Sequence, residues 1–353
     1  GYEGALDFGA VRYLDDGTPD PAFGANGRVA FAVSGSDDVA RALALQADGR
    51  LVLGGYTYTG AGIGFALARL NADGTADTAF GDQGRVITVT PGDVTLQARA
   101  VAVQADGRIL LAGGGSAGFA IMRYTSAGVP DSSFGGDGLV TIHFSNGNDQ
   151  CTGLAVQPDG RILLAGYSNG LVSDSVALAR LEPDGALDAT FGTNGTVRTN
   201  YPGLPSTAAG LALMPDGRFV LCGAANTRAI AARFLPDGSP DPGFNAFGWR
   251  FFTFPNTTSA RFTGVQVQPD GSVVLGGTVS GINTDYVVAH LRADGSFNEA
   301  FGTSGYTITD VNGVANEANA VALQADGRII VAGTVNGGGS DLDFAAARYF
   351  PDL

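Results

Sequence analysis

Among the residues of this chain able to do chemistry, the carboxylates come first. Asp38, Asp93, Asp149 and Glu317 each stand just ahead of a similar apolar run. Side chains from equivalent points of a repeated fold can converge on one axis. A ring of carboxylate oxygens is a donor set for Ca²⁺, which takes about six to eight oxygen ligands. The matching places at Ser206 and Ala260 carry no acid, so the ring is broken, and capping a strand entry is the plainer role for each Asp. A second acidic set, Asp73, Asp77 and Asp82, falls within one loop but lacks the spacing and the bidentate Glu of an EF-hand. Nucleophilic chemistry has less to build on. The histidines are His143 and His290; His290 replaces an arginine that recurs as Arg12, Arg69, Arg123, Arg180, Arg233 and Arg348, and so fills a structural slot. No zinc-ligand spacing and no GxSxG elbow is present. A Ser-His-Asp set is recognised by geometry rather than by order, and nothing in the sequence supports one. Cys151 and Cys222 occupy places where sister segments carry Ala or Gly, as small buried thiols do.

Recognition chemistry is better represented. The segments 56–64, 167–175, 278–286 and 334–343 differ in length and sequence and bring together Tyr56, Tyr58, Tyr167, Asn169, Asn283, Tyr286 and Asn336. Variable loops on a rigid scaffold are the usual setting for binding, and Tyr with Asn and Gly suits a glycan or a protein surface. Separately, FNAFGWRFFTF at 244–254 holds the single Trp of the chain. Strand alternation puts Trp249 and Phe251 on the outer face, as an aromatic rim that points to a partner.

These residues sit on elements that the composition already constrains. The hydrophobic fraction of 44% is that of a globular chain. No apolar run reaches the ~18 residues that a membrane span needs. The net charge is −14, and all 20 basic residues are Arg, so nucleic acid is a poor partner. The acids are nearly all Asp, the exceptions being Glu3, Glu182, Glu299 and Glu317; Asp serves turns where Glu serves helices. Low charge density and abundant Gly, Thr, Ser and Asn fit an exported protein.

Repetition dominates the rest. LALQADGRLVLGG at 43–55 returns at 101–113, 154–166, 211–223, 265–277 and 321–333. A second motif follows, as FALARLNADGTADTAFGDQG at 65–84 and VALARLEPDGALDATFGTNG at 176–195. Measured between the Asp residues of successive DG turns, from Asp48 to Asp326, the period is 53–58 residues. Each period holds four short apolar runs, termed a, b, c and d here, with an Asp-Gly hairpin turn between a and b and a DGxxDxxFGxxG loop between c and d. Phe23, Phe80, Phe134, Phe191, Phe244 and Phe301 recur once per period, as inter-blade core residues would. A four-stranded unit cannot bury its faces alone, and radial stacking into a propeller solves that.

The strand order resembles that of WD40 blades, without their Trp-Asp and His signatures. The fuller resemblance, carried by QADGRILLAG (104–113), FALARL (65–70) and DGALDATFG (184–192), is to the bacterial delta-sixty repeat family. It implies a β-propeller in an exported, extracellular or cell-surface protein and implies no chemistry.

The expected fold is therefore all-β, a six-bladed β-propeller of four-stranded antiparallel blades, with seven blades as the alternative. The blades span about 39–90, 97–144, 151–201, 208–254, 262–311 and 317–350. The last lacks a d strand, which 27–33 is expected to supply, closing the ring; this leaves 1–14 as a spare c strand, to dock elsewhere or be exchanged between chains. The expected function is a non-enzymatic scaffold, monomeric, binding a protein or glycan, with no nucleic-acid partner, no membrane insertion and no cofactor unless Ca²⁺ binds. The alternatives are a Ca²⁺-dependent propeller hydrolase or lyase with an axial site, and a structural module of a longer surface array.

Overall fold

A computed structural model describes residues 6–89, 95–115, 118–145, 147–169, 173–311, 313–336 and 342–351. The described residues form 25 strands and no helix. Two compact units divide the chain: Gly1–Leu164 with Ser168–Leu171 and Leu181–Ala186, and Ala165–Tyr167 with Val172–Arg180 and Leu187–Leu353.

The first unit opens with β1 (Phe8–Val11) and β2 (Arg28–Phe31), which pair antiparallel with each other. A complete blade follows, β3 (Asp38–Leu45), β4 (Leu51–Thr59), β5 (Gly62–Leu70) and β6 (Arg85–Thr88), hydrogen-bonded in chain order. The next is β7 (Gln97–Val103), β8 (Ile109–Gly115), β9 (Gly118–Tyr124) and β10 (Leu139–Ile142). β11 (Asp149–Val156) and β12 (Ile162–Asn169) begin the third copy. β11 also adds to β8 through Asp149↔Gly115 and Gln150↔Gly114. Two cores lie between neighbouring sheets of this unit: one around Phe8, Phe23, Leu53 and Leu70, the other around Phe65, Phe80, Leu111 and Tyr124.

In the second unit β13 (Asp174–Leu181) pairs with β14 (Thr196–Thr199). Two full blades come next: β15 (Ser206–Leu213), β16 (Phe219–Ala225), β17 (Arg228–Phe234) and β18 (Trp249–Phe252), then β19 (Ser259–Val267), β20 (Val273–Ser280), β21 (Thr284–Leu291) and β22 (Tyr306–Thr309). The last sheet has three strands, β23 (Asn316–Leu323), β24 (Ile329–Asn336) and β25 (Leu342–Tyr349). Its cores run between sheets through Phe244, Phe252, Phe262 and Leu275, and through Tyr286, Phe301, Val331 and Tyr349.

Turn chemistry explains the hairpins. In each a–b turn the Asp carboxylate accepts the backbone N–H two residues on, as Asp48 does from Arg50 at 3.1 Å and Asp159 from Arg161 at 3.0 Å, and the following Gly takes a positive φ, 83° at Gly49. Strand a carries one extra residue against strand b, a bulge falling between Ala40 and Ala42 and again between Ala318 and Ala320. That bulge pushes a carbonyl of strand a towards strand b, where a side chain has no room. A Cβ on Gly55 would lie 1.9 Å from the carbonyl oxygen of Val39. The Gly that ends each strand-b motif is a requirement of the bulge.

One expectation is corrected. Arg28–Phe31 does not complete the last sheet; its partner is β1, with Phe8 opposite Phe31 and Val11 opposite Arg28. The reason is the connection between them, an intact DGTPDPAFGANG loop at 16–27. Its Phe23 is 1% exposed, and Arg12 Nε donates to Asp20 Oδ2 at 2.8 Å across it. A strand tethered this closely pays little loop-closure entropy to reach its neighbour. Of the segment 1–14, expected as spare, residues 1–5 lie outside the described residues, and Phe8–Val11 forms a c strand with a d strand of its own.

Candidate functional site

The DGxxDxxFG loops build the scaffold. In the first full blade, Arg69 Nε donates to Asp77 Oδ2 at 2.8 Å, its Nη1 donates to the carbonyl of Ser126 on the next blade at 2.6 Å, and its guanidinium lies 4.3 Å from the centre of the Phe80 ring. Arg123, Asp131, Phe134 and the Pro183 carbonyl repeat the arrangement, as do Arg233, Asp241, Phe244 and the Ala293 carbonyl. Each such pin joins a charge-assisted pair, a cation–π contact and a link to the following blade. Phe23, Phe80, Phe134, Phe191, Phe244 and Phe301 are all at most 1% exposed, the inter-blade role expected of them. Burial works against ionisation of Asp188, yet hydrogen bonds from Thr190 and the Arg180 guanidinium hold its carboxyl down at about 2. These acids are committed to the fold, and Asp73, expected as part of a loop cluster with Asp77 and Asp82, spends Oδ1 on Thr75 at 2.6 Å.

The carboxylates ahead of strand a meet different fates. Asp38 is 1% exposed; its Oδ2 accepts the N–H of Val33 at 2.7 Å and of Ser34 at 2.9 Å. Asp149 accepts the N–H of Phe144 at 2.9 Å and the Ser145 hydroxyl at 3.0 Å. Both tie the d–a corner to strand a. Glu317 is exposed and pairs with Arg261 at 3.3 Å, and Asp93 lies outside the described residues. Among the described residues no three His, Cys, Asp or Glu side chains gather around one point.

The variable-loop residues also divide. Tyr286 is 0% exposed and Tyr56 7%, so these two are core side chains and leave the recognition face. The strands run further than the sequence suggested: β4 continues to Thr59 and β21 starts at Thr284, placing both tyrosines inside sheets. Tyr286 donates from its hydroxyl to the Ala345 carbonyl at 3.4 Å. Tyr58 is 44% exposed, Asn169 and Asn283 are exposed, and Tyr167 and Asn336 are half-buried.

β18 presents the other aromatic group. Phe247, Trp249 and Phe251 follow at two-residue spacing and project to one side of this edge strand. Ring centroids are 5.9 Å apart from Phe247 to Trp249 and 4.8 Å from Trp249 to Phe251. Phe247 is 67% exposed, while Trp249 and Phe251 are half-buried. Tyr201, buried beneath, sits 5.9 Å from the Trp249 ring, and the Arg228 guanidinium caps Phe251 at 4.1 Å. On the opposite side of the strand Phe252, 2% exposed, belongs to the core. Sequence alternation had singled out Trp249 and Phe251; it missed Phe247, which precedes the strand and is set by the turn at Gly248.

Neither histidine nor cysteine assembles a reactive centre. His143 is exposed at the end of β10, and His290, 5% exposed, stacks edge-on against Phe301. Cys151 and Cys222 are buried and form no disulfide, and burial pushes the Cys222 thiol well up, away from the reactive thiolate.

Antiparallel four-stranded sheets, pinned in succession by recurring loops and built with no helix among the described residues, define a protein of the β-propeller class. The chain matches the family described as "Domain of unknown function (DUF5122) beta-propeller" over 46–80, 104–134, 157–191, 215–244, 268–301 and 324–353. With six copies covering more than half its length, it belongs to that family. Among solved structures it is similar to a protein of unknown function from Dyadobacter fermentans DSM 18053, at 13% identity and a TM-score of 0.55 over 88% of this chain and 93% of that one. A protein from Lactobacillus plantarum is similar at 15% identity and a TM-score of 0.53, over 94% and 87%. A catalytically inactive virginiamycin B lyase from Staphylococcus aureus with quinupristin is similar at 12% and 0.52, over 86% and 83%. At these identities the likeness is one of fold. No curated protein matches the chain.

Proposed function

We propose that this protein is a non-enzymatic binding scaffold, exported to the cell surface or beyond, and that the Phe247–Trp249–Phe251 file on β18 is its contact surface for a polysaccharide. The observation that carries the reading is the file itself: three rings on one side of an edge strand, 4.8–5.9 Å apart and opening to solvent at Phe247. Aromatic faces stack on the C–H faces of sugar rings, and successive sugars of an extended chain repeat at a similar interval. Polar groups for the hydroxyls stand beside the rings: Arg228 over Phe251, and Asn245, whose Nδ2 donates to the Trp249 carbonyl at 3.0 Å. The acidic, lysine-free surface favours a neutral or cationic glycan over an anionic one. Exposed Asn283, in the same unit, is a further point at which a loop could hold such a chain.

The test uses the single Trp of the sequence, so that intrinsic fluorescence reports this surface directly. Soluble β-glucan, chitin and mannan oligosaccharides are titrated, with Phe247→Ala and Trp249→Ala compared by calorimetry. The expected result is a saturable change in Trp emission with one glycan class. Both variants should lose binding while melting within a few degrees of the parent. Emission unmoved by every glycan, or variants that bind as well as the parent, overturns the reading; a file that instead cross-links to a protein makes the surface a protein interface.

A further inference from the structure

The loop that leads into β18 departs from its sisters around Phe247. In four copies the residue two places ahead of strand d takes a left-handed φ: Asn26 at 53°, Gln83 at 52°, Asn194 at 52° and Ser304 at 56°. Phe247 holds that place before β18, and a bulky aromatic is a poor occupant of the left-handed region. The turn passes instead to Ala246, at 62°, a conformation disfavoured for a residue with a Cβ. Asn245, also left-handed at 51°, stands where the other copies have Gly24, Gly81, Gly135, Gly192 and Gly302. In four of those copies the first carbonyl of strand d accepts a backbone N–H from this loop, as Arg85 does from Asp82 at 2.9 Å and Thr196 from Thr193 at 2.8 Å. Here the Asn245 side-chain amide donates to the Trp249 carbonyl, at 3.0 Å. The loop is rebuilt, at a cost in backbone strain, to carry an exposed phenyl ring where its sisters carry polar side chains.

Each ring of the file has its own support, and the supports turn the rings relative to one another. The rebuilt loop sets Phe247, Trp249 leans on Tyr201 with 54° between their planes, and Phe251 lies against the Arg228 guanidinium. The planes of Phe247 and Trp249 meet at 31°, and those of Trp249 and Phe251 at 52°. No two neighbours in the file are coplanar. A sugar stacks through the face of its ring, so the planes of the platform select the planes of the sugars. The flat ribbons of cellulose and chitin present every sugar face in parallel, as does a crystalline surface built from them. Such a face meets one of these rings at a time. A chain that turns between successive sugars, as laminarin and amylose do, offers its faces at an angle.

We infer that the file takes a single curled glucan chain and discriminates against flat ribbons, an inference that rests on the polysaccharide reading above. Asn245 and Ala246 are then positioning residues: they fix the plane of Phe247 and with it the twist of the platform. The strain at Ala246 serves to hold that ring ready before the chain arrives.

Oligosaccharides of laminarin, amylose, cellulose and chitin, matched in length, are titrated against the intact chain by Trp emission and calorimetry. Crystalline cellulose is offered in a sedimentation assay. A ribbon that forfeits two of three ring contacts, each of the strength of an aromatic pair, should bind about tenfold or more weaker than the better of the two curled chains. Asn245→Gly, which restores the residue of the sister loops, should bring the two affinities towards parity; a merely structural role would move the melting temperature and leave their ratio alone. Ribbons that bind as tightly as curled chains, or retention on crystalline cellulose, overturn the inference and leave the polysaccharide reading standing. A ratio unmoved by Asn245→Gly removes the loop from its positioning role. Silence with every sugar overturns the polysaccharide reading itself, and this inference with it.

Discussion

Nδ1 of His290 lies 3.3 Å from the side-chain amide of Asn298, in the place where Arg233 holds Asp241 at 2.7 Å one copy earlier. A third member changes with them: Ser272 stands where Arg218 reaches the same Asp241 carboxylate at 3.0 Å. One copy has thus lost the guanidinium and the carboxylate together, as burial demands, since an ion left without its counter-ion in the interior is strongly destabilising.

That pairing is open to a double-mutant cycle. His290→Arg alone buries a guanidinium with no carboxylate, and Asn298→Asp alone sets a carboxylate there with no guanidinium to pair it. Each should cost about 3 kcal/mol. The two together restore the arrangement of the other copies, and a favourable coupling of about 1–3 kcal/mol is expected from chemical denaturation. Additive losses would mean that His290 and Asn298 are not the equivalents of Arg233 and Asp241.

A second expectation concerns the bulge. Gly55→Ala would set a methyl group 1.9 Å from the Val39 carbonyl oxygen, whereas nothing lies within 4 Å of a Cβ on Gly60. Gly55→Ala should therefore lose stability at or beyond the upper end of the ~1–3 kcal/mol typical of overpacking. Gly60→Ala should be silent within about 0.5 kcal/mol. Equal midpoints for the two variants would show that strand a yields freely at the bulge.

A third expectation is a stability profile in pH. Asp188 titrates at about 2 in the fold against an ordinary 3.8, and Asp131, Asp237, Asp241 and Asp294 are displaced in the same direction. A depressed carboxyl contributes its full stabilisation above the unfolded value and loses it as pH falls through the folded one. Melting temperature should be nearly flat from about pH 8 down to 5 and fall steeply between about 4 and 2. A midpoint that does not move across the acid range would mean that these hydrogen-bonded carboxylates add nothing to stability.

Much of this architecture was legible in advance because the code is local and repeated. Asp48-Gly49 states a turn by its own side-chain hydrogen bond, and alternation in WRFF states which ring faces out. What escaped notice depends on pairing between distant segments. β1 and β25 carry nearly the same sequence, LDFGAVRYL and LDFAAARYF, so composition could not choose which of them β2 would join; the short, pinned loop at 16–27 decided it. Tyr56 and Tyr286 were read as loop residues because Gly and Thr around them mimic turns, while the ladder carries both strands through.

The pins reach the following blade through a backbone carbonyl, and the residues that own it are Ala72, Ser126, Pro183, Pro236 and Ala293. Three residue types serve equally, because a peptide oxygen is the same whatever side chain it carries. A gene segment encoding one blade, copied and inserted beside its parent, would therefore meet a compatible acceptor at once, with no compensating change. The chain is able to lengthen by duplication and afterwards let single copies drift, as the His290 copy has done.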